Sequence, residues 1–207
     1  MIPKDIVIVI GRTFGSGGRR VGKILSERLG LKYYDKEMLA HAAEKSGIEK
    51  HLFLSHDEKR PSLLHSLLSA TPGVTFESNS GGLSGDKLYQ TLGDVVRELA
   101  SDGGCVFVGR SADYILRDKP HILSVFLHAP MDVRTQNIMK RGDTSSQAKA
   151  REMARSKDRD REKFYNYFTG RKWGTIDNYH LTIDSSMLDD EGVADVIIRH
   201  LEGAYRD

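Results

Sequence analysis

The sequence predicts an α/β fold built around a parallel five-stranded sheet. Five short apolar runs, each typical of a buried strand, are separated by segments whose apolar residues recur at helical spacing. The first run, residues 6–10 (IVIVI), is followed by a glycine-rich turn at residues 11–22 (GRTFGSGGRRVG) that opens an amphipathic helix. Strands that alternate with helices favour a parallel sheet with right-handed crossovers, in which ligands bind at the carboxyl ends of the strands.

The first two strands flank one helix. Residues 19–29 carry apolar side chains on one helical face, and Gly30 follows at the position of a C-cap. Residues 31–34 are predicted as a second strand, after which Asp35 caps a further helix. Residues 47–86 interrupt the pattern with two prolines and the run SNSGGLSGD, and four leucines indicate one short helix there. We interpret this segment as an insertion over the ligand-binding side.

Regular spacing resumes after the insertion. Three further strands are expected at residues 105–108, 122–127 and 180–183. Four helices are expected at residues 87–101, 130–140, 146–168 and 189–201. The third of these helices is long and charged, and the pattern leaves open whether it is continuous or broken. We interpret the whole chain, residues 1–207, as a single domain.

Composition restricts the class of protein. The 31 Lys and Arg residues nearly balance the 29 Asp and Glu residues, so the net charge of +2 gives no reason to expect nucleic-acid or membrane binding. Cys105 is the single cysteine, which excludes an internal disulfide, and it is expected to be a buried strand thiol. No apolar run approaches the roughly 20 residues of a membrane span, and the N-terminus lacks a signal-peptide pattern. We expect a cytoplasmic protein. We expect no structural metal, because the histidines show no paired ligand spacing.

The glycine-rich turn has the features of a phosphate-binding loop. A buried strand, a glycine turn and a helix start bring backbone N–H groups together, and the helix dipole adds about half a positive charge. The predicted phosphate contacts occupy six consecutive positions: Gly15, Ser16, Gly17, Gly18, Arg19 and Arg20. The alternative is a tight turn with arginines on the surface, because a glycine-rich turn alone is a weak indicator.

Residues 11–19 (GRTFGSGGR), followed by a helix and by Tyr34 and Asp35, resemble the N-terminal signature of a divergent cytidylate-kinase-like family among the nucleoside monophosphate kinases. The resemblance implies a P-loop NTPase fold, a three-layer α/β sandwich of the nucleoside monophosphate kinase type. It also implies ATP and Mg²⁺ as cofactors and a nucleoside monophosphate as acceptor, with CMP or dCMP favoured. Residues 47–86 then form an acceptor-side insertion, and residues 142–170 a lid region.

The chain departs from ordinary cytidylate kinases at the position of their P-loop lysine. When the sequences are aligned without gaps from Asp35, that lysine falls on Gly18, and the glycine and hydroxyl residue after it fall on Arg19 and Arg20. The lysine steadies the transferring phosphoryl group in working enzymes, and an arginine at another position could supply its charge. Arg12, Arg19 and Arg20 are the candidates, and we assign Arg19 to the catalytic residues. The alternative is a protein that binds nucleotides or anions without turnover.

A second motif follows the central strand. Gly109 and Arg110 resemble the Gly-Arg-Asp segment with which cytidylate kinases contact the acceptor nucleotide, although the acid arrives later, at Asp113. Glycine permits close approach of the backbone, and the planar guanidinium of Arg110 suits a phosphate. The resemblance implies acceptor contacts for Arg110, Asp113 and Asp35. The alternatives are an Arg110–Asp113 pair that only caps the next helix and an N-cap role for Asp35.

Residues 149–163 contain seven basic and four acidic residues. Most of these charges are expected to lie on a solvated helix face with ion pairs, and the interrupting acids disfavour a nucleic-acid site. Residues 158–161 (DRDR) resemble the Asp-x-x-Arg element that reaches the phosphates in cytidylate kinases. The resemblance implies that Arg161, then Arg155, then Arg141 stabilise charge in the transition state.

Aromatic residues cluster within residues 164–179, a pattern shared with the divergent family. We predict that Tyr165, Phe168 and Trp173 pack and anchor the second helix of the lid, with base stacking as the alternative. The identity of the acceptor is left open, and a kinase for another small acceptor is a third hypothesis. A homodimer is the default expectation for the assembly.

Overall fold

The computed structural model of the protein describes residues 1–35 and 85–206. Its strands are β1 (Val7–Arg12), β2 (Lys32–Tyr34), β3 (Cys105–Val108), β4 (Ile122–His128) and β5 (Leu181–Asp184). Its helices are α1 (Gly18–Leu29), α2 (Gly85–Leu99), α3 (Ala112–Ile115), α4 (Met131–Lys140), α5 (Gln147–Thr169) and α6 (Asp190–Ala204), with a 3₁₀ turn at Ile176–Asn178. The strands pair in parallel in the order β2-β3-β1-β4-β5.

Alternate residues of the central strand β1 build two cores, one on each face of the sheet. Val7 and Val9 are fully buried in a core shared with α2 and α3, whereas Ile8 and Ile10 are fully buried in one shared with α1 and α6. Burial of each such side chain stabilises the fold by about 1.5–3 kcal/mol. Helices therefore cover both faces of the sheet, and the three-layer α/β sandwich expected from the sequence is confirmed.

Several local expectations are confirmed. Gly30 ends α1 in the left-handed conformation, at φ 65°, and its N–H donates to the carbonyl of Ser26, as a C-cap should. Cys105 is a buried free thiol in β3, and burial raises its pKa to about 11.

Helix α5 runs without a break over 23 residues, so the broken alternative is wrong. Within the described ranges, no helix is both long and apolar enough to cross a bilayer.

Strand β1 continues two residues beyond its predicted end. Gly11 and Arg12 pair with Phe126 and Leu127 of β4, so the turn that remains between β1 and α1 spans only residues 13–17. We call residues 13–17 the glycine-rich loop. Arg12 is consequently the last residue of a strand and not part of the turn, which fixes where its side chain starts.

The predicted insertion ends earlier in the structure than in the sequence prediction. Helix α2 begins at Gly85, so the last two residues of the predicted insertion 47–86 are helical. The helices predicted after Asp35 and among the leucines of the insertion lie outside the described residues. The sequence pattern also did not predict α3, because four residues are too few to show a helical period.

Strands β1 and β3 are neighbours that end at the same edge of the sheet. Ile10 of β1 pairs with Val108 of β3. The chain leaves β1 through Arg12 into the glycine-rich loop, and it leaves β3 through Gly109 into α3. Two motifs that are distant in sequence therefore lie side by side at the carboxyl ends of the strands, where parallel sheets bind ligands.

Candidate functional site

Two glycines shape the glycine-rich loop. Gly15 and Gly17 have φ angles of 90° and 86°, in the left-handed region that disfavours residues with a side chain. A Cβ atom on Gly15 would lie 2.8 Å from the carbonyl O of Arg134, and one on Gly17 would lie 2.5 Å from Oδ1 of Asp190. Gly17 also caps α1, whose first N–H groups have no partner within the helix. The loop thus has the backbone geometry of an anion cradle.

Side chains from neighbouring elements fix the loop in place. Asn137 of α4 donates through Nδ2 to the carbonyl of Gly15 at 2.9 Å, and Ser185 donates to the carbonyl of Ser16 at 3.0 Å. The hydroxyl of Ser16 lies 3.1 Å from the carbonyl O of Leu127, and Ser16 is almost fully buried. The Ser16 hydroxyl, in a residue predicted as a phosphate contact, is therefore engaged within the protein.

Buried charges clamp the N-terminal end of the loop. Asp158 of α5 accepts hydrogen bonds from the N–H of Phe14 at 2.7 Å and from Nη1 of Arg134 at 2.5 Å. Burial raises the pKa of Asp158, and the Phe14 N–H, Arg134 and Arg161 oppose that shift. The sequence pattern did not identify Arg134 or Asn137, because each resembles an ordinary polar residue of a surface helix and belongs to no motif. We call the group Asp158, Arg134 and the Phe14 backbone the loop clamp.

A cleft opens beside the loop clamp, at the carboxyl ends of β1 and β3. Three arginines line it, Arg12, Arg110 and Arg161, together with Asp113 and Tyr165. Guanidinium groups bind phosphate oxygens through paired N–H donors, so three of them in one concave site suit a phosphate-bearing ligand. Of the residues predicted from the sequence, the structure brings Arg110, Asp113 and Arg161 together here.

The backbone at the end of β3 is strained. Gly109, Arg110 and Ser111 have φ angles of 79°, 63° and 53°, three consecutive residues in the left-handed region. A residue with a side chain costs of order 1–3 kcal/mol in such a conformation, and strain of this kind concentrates at functional sites. Arg110 is only 5% exposed, so this backbone holds a nearly desolvated cation at the cleft.

Asp113 and Tyr165 form a buried hydrogen bond within the cleft lining. The hydroxyl of Tyr165 donates to Oδ2 of Asp113 at 2.7 Å. Burial raises the pKa of Asp113, and the hydrogen bond from Tyr165 opposes that shift. Burial and the neighbouring carboxylate raise the pKa of Tyr165, so the phenol keeps its proton and acts as the donor. The bond joins α3 to α5.

Arg161 lies where the loop clamp meets the cleft. Its Nη1 donates to the carbonyl of Arg12 at 3.1 Å and lies 3.6 Å from Oδ1 of Asp158. Arg155, six residues earlier in α5, is exposed and lies outside the cleft lining. Six residues rotate an α-helix by about 600°, so the two arginines point about 120° apart, and the structure does not bring them together.

The arginines at the start of α1 lie on the solvent side. The side chains of Arg19 and Arg20 are about half exposed. Nε of Arg20 lies 2.5 Å from Oδ2 of Asp190, and Nε of Arg19 lies 3.7 Å from Oδ2 of Asp35. Asp35, which is itself buried, sits beyond the end of β2 next to Arg19 and outside the cleft lining.

The predicted packing of the aromatic residues is confirmed. Tyr165 is 3% exposed. The ring of Phe168 stacks on that of Tyr89 with 4.2 Å between centroids, and the ring of Trp173 meets that of Phe126 edge-on at 5.3 Å. Trp173 also lines the cleft, so base stacking stays a prediction for that residue.

The strand order, the glycine-rich loop after β1 and the arginines at the adjoining strand ends define an α/β domain of the P-loop type. The sequence model of the family described as "Cytidylate kinase-like family" matches residues 7–187. The chain belongs to this family.

The chain is similar to a curated cytidylate kinase and to two proteins of known structure. The cytidylate kinase of Sulfolobus acidocaldarius is 27% identical over 199 residues, which cover 92% of this chain and 91% of that protein. The crystal structure of an uncharacterized protein from Eubacterium ventriosum superposes with a TM-score of 0.72 at 25% identity, covering 95% of this chain and 98% of that one. Shikimate kinase from Acinetobacter baumannii, in complex with shikimate, shares the fold at a TM-score of 0.53 and 15% identity, covering 100% of this chain and 97% of that one.

Proposed function

We propose that this protein is a nucleoside monophosphate kinase that transfers the γ-phosphoryl group of ATP, with CMP and dCMP as favoured acceptors. The observation that carries the proposal is the presence of Arg110 and Arg161 in one cleft directly beside the glycine-rich loop. Membership of the cytidylate kinase-like family, and similarity to a curated cytidylate kinase, support the choice of acceptor.

The donor phosphates of ATP would bind along the glycine-rich loop and the start of α1. Helix α1 begins at Gly18, and both the N–H groups of a helix's first turn and the helix dipole favour an anion there. Arg19 and Arg20 place further positive charge at the same helix start. The pair of Arg20 with the partly exposed Asp190 costs little to exchange for phosphate oxygens, because such surface pairs contribute about 0–1 kcal/mol.

Mg²⁺, when bound, would neutralise part of the charge on the donor phosphates. Kinases hold this ion largely through substrate phosphates and one or two carboxylates. Within residues 1–35 and 85–206, no group of three or more His, Cys, Asp or Glu side chains is placed to hold a metal ion. In the proposed ATP complex, phosphate oxygens would supply most of the metal's ligands, as is usual for Mg²⁺ in kinases.

The acceptor phosphate would bind to Arg110. A guanidinium that is only 5% exposed attracts a phosphate more strongly than a solvated one, because the surroundings screen the charges less. Asp113 lies in the same lining and Asp35 follows β2 at the same edge of the sheet, and we propose both as further acceptor contacts.

The transfer needs no general base. An oxygen of the acceptor phosphate attacks the γ-phosphorus, a new P–O bond forms, and the bond to the β-phosphate oxygen breaks to release ADP. Negative charge redistributes over the transferring group, and Arg161 is placed to stabilise it. Catalytic roles for Arg19 and Arg155 stay predictions, since neither side chain lines the cleft.

The decisive experiment measures ADP formation from ATP and Mg²⁺ with a panel of nucleoside monophosphates, alongside calorimetric binding of each. We expect turnover with CMP and dCMP that exceeds turnover with AMP, GMP and UMP. Binding without turnover for every acceptor would refute the kinase proposal.

A second candidate function is nucleotide binding without turnover. The observation that favours it is Gly18, a residue without a side chain at the position where ordinary cytidylate kinases have their P-loop lysine. The same experiment separates the two functions, since the second predicts ATP binding and no ADP.

A further inference from the structure

The side chain of Arg12 occupies the space above Gly18. A Cβ atom on Gly18 would lie 2.9 Å from both Cβ and Cγ of Arg12, and 3.5 Å from its Cδ. The first of these distances is tighter than nearly all contacts that real Cβ atoms make, so a side chain at position 18 would displace the arginine. The stem of Arg12 therefore fills the path by which a side chain at position 18 would leave the helix.

The guanidinium of Arg12 ends against the backbone of Gly109. A Cβ atom on Gly109 would overlap Nη1 of Arg12 and lie 2.8 Å from its Cζ. The charged end of Arg12 consequently lies between the carboxyl ends of β1 and β3, in the cleft lined by Arg110 and Arg161. Two glycines thus contact the side chain of Arg12: Gly18 lies against its aliphatic part, and Gly109 lies against its guanidinium.

The backbone of Arg12 is also held. Its carbonyl accepts the hydrogen bond from Nη1 of Arg161, and its position in β1 is fixed by pairing with Leu127. An arginine whose stem and backbone are both constrained loses less side-chain entropy when it binds a ligand. Of the three arginines that could compensate for the missing lysine, Arg19 and Arg20 extend toward solvent, and Arg12 lines the cleft.

Comparison with the general phosphate-loop pattern shows that Arg12 and Gly18 have exchanged residue types. In Gly-x-x-x-x-Gly-Lys, the first glycine stands six residues before the lysine. In the register that places the lysine at Gly18, that first glycine falls on Arg12. The chain therefore carries a cation where the pattern has glycine and glycine where the pattern has a cation, and the two positions touch.

We infer that Arg12 replaces the P-loop lysine, with its guanidinium bound to the phosphoryl group in transit between donor and acceptor. This role rests on the proposed kinase function. Arg12 donates hydrogen bonds to the oxygens of that group while the bond to the acceptor forms and the bond to ADP breaks, and no proton moves, because arginine stays protonated. Its planar fork offers two N–H donors at once, where a lysine offers a single point charge.

The test compares Arg12→Met with Arg199→Met. Arg199 is a matched control because it is an exposed arginine of α6 that pairs with Glu202 and does not line the cleft. We expect Arg12→Met to lower kcat about 100-fold or more, the usual loss when one charge-stabilising donor is removed, and Arg199→Met to stay within twofold of wild type. An Arg12→Met enzyme within threefold of the control would overturn the inference while leaving the kinase function intact.

A relocated charge gives an independent readout. The double variant Arg12→Gly with Gly18→Lys restores the general pattern, and we expect it to recover at least about tenfold in kcat over Arg12→Gly alone. A folded double variant with no recovery counts against the inference. If Arg12→Met fails to fold, Arg12→Lys, which keeps the stem and the charge, replaces it, and we expect a partial loss of kcat from the missing fork.

Binding separates failure of the inference from failure of the proposed function. Calorimetry with ATP and Mg²⁺ should show at least about tenfold weaker affinity for Arg12→Met than for Arg199→Met, whether or not the wild type turns over. If the wild type binds ATP but shows no turnover, the kinase function fails and the role of Arg12 in transfer fails with it. Weaker ATP binding by Arg12→Met than by Arg199→Met would then still show that Arg12 holds the donor phosphates, and equal affinities would overturn that contact too. A wild type that does not bind ATP overturns both.

Discussion

The two ends of the glycine-rich loop are held by different electrostatics. At the N-terminal end, Asp158 and Arg134 form a pair whose side chains are 17% and 10% exposed, and that pair grips the backbone of Phe14. At the C-terminal end, Arg20 pairs with Asp190, and their side chains are 53% and 27% exposed. One end is fastened by desolvated charges and the other by charges that water still screens.

Because of this difference, the two ends of the loop have different roles. Breaking a buried pair leaves an uncompensated charge in a poor solvent, whereas an exposed pair opens at a cost of about 0–1 kcal/mol. The N-terminal end therefore keeps the loop and Arg12 in one geometry. The C-terminal end keeps Arg20 available to exchange its carboxylate partner for ligand oxygens.

The largest expected effect comes from Asp158→Asn compared with Asp190→Asn. Asp158→Asn removes the counter-charge of Arg134, and we expect a loss of about 3 kcal/mol in the free energy of unfolding. Asp190→Asn removes the same chemical group from the exposed pair, and we expect a loss below about 1 kcal/mol. Urea denaturation of the two variants measures both values, and similar losses would erase the contrast between the ends.

A smaller effect is expected from Gly109→Ala compared with Gly30→Ala. Both glycines have positive φ, 79° and 65°, so both substitutions carry a backbone cost of about 1–2 kcal/mol. A Cβ at Gly30 meets nothing within 4 Å, whereas one at Gly109 collides with the guanidinium of Arg12. Gly109→Ala should therefore lose about 1–3 kcal/mol more than Gly30→Ala in the same denaturation experiment.

The Gly109→Ala variant should also bind ATP and Mg²⁺ more weakly than Gly30→Ala, because it displaces the Arg12 guanidinium without removing any charge. Equal unfolding free energies for Gly109→Ala and Gly30→Ala would show that the Arg12 guanidinium moves away from the new Cβ without loss of stability. The position of Arg12 would then not be tightly held.

The smallest expected effect is a change in how the free energy of unfolding varies with pH when Asp113 is replaced. Burial raises the pKa of Asp113 in the folded protein, so above its unfolded pKa the folded state holds more protons than the unfolded state. The stabilising contribution of the protonated acid is therefore fully present at low pH and is lost as pH rises through the folded pKa. Asp113→Asn removes this titration and keeps an oxygen that accepts from Tyr165.

The stability of Asp113→Asn relative to wild type should accordingly increase as the pH rises above the unfolded pKa of about 4, with urea denaturation at each pH as the measurement. If the difference in unfolding free energy between Asp113→Asn and wild type does not vary with pH, Asp113 has the same pKa in the folded and unfolded states. Burial would then not destabilise the ionised form of Asp113.

The sequence predicted the layers of the fold because burial follows local periodicity. The alternation along residues 6–10 sends Val7 and Val9 to one face and Ile8 and Ile10 to the other, and the cap at Gly30 follows from a single residue type. Helix α3 was missed because it contains four residues. The loop clamp was missed because the Phe14 N–H and the Asp158 carboxylate that bind each other are 144 positions apart in the chain.

The sequence by itself determined that a glycine-rich loop follows the first strand, that Arg110 follows the third, and that no lysine stands at position 18. Only the tertiary structure decided which arginine faces the cleft. Arg12, Arg19 and Arg20 are equivalent in the sequence, since each is a cation beside the loop. Their directions differ because Gly18 and Gly109 leave room for Arg12 between two strand ends, while Asp35 and Asp190 pair with the others on the solvent side.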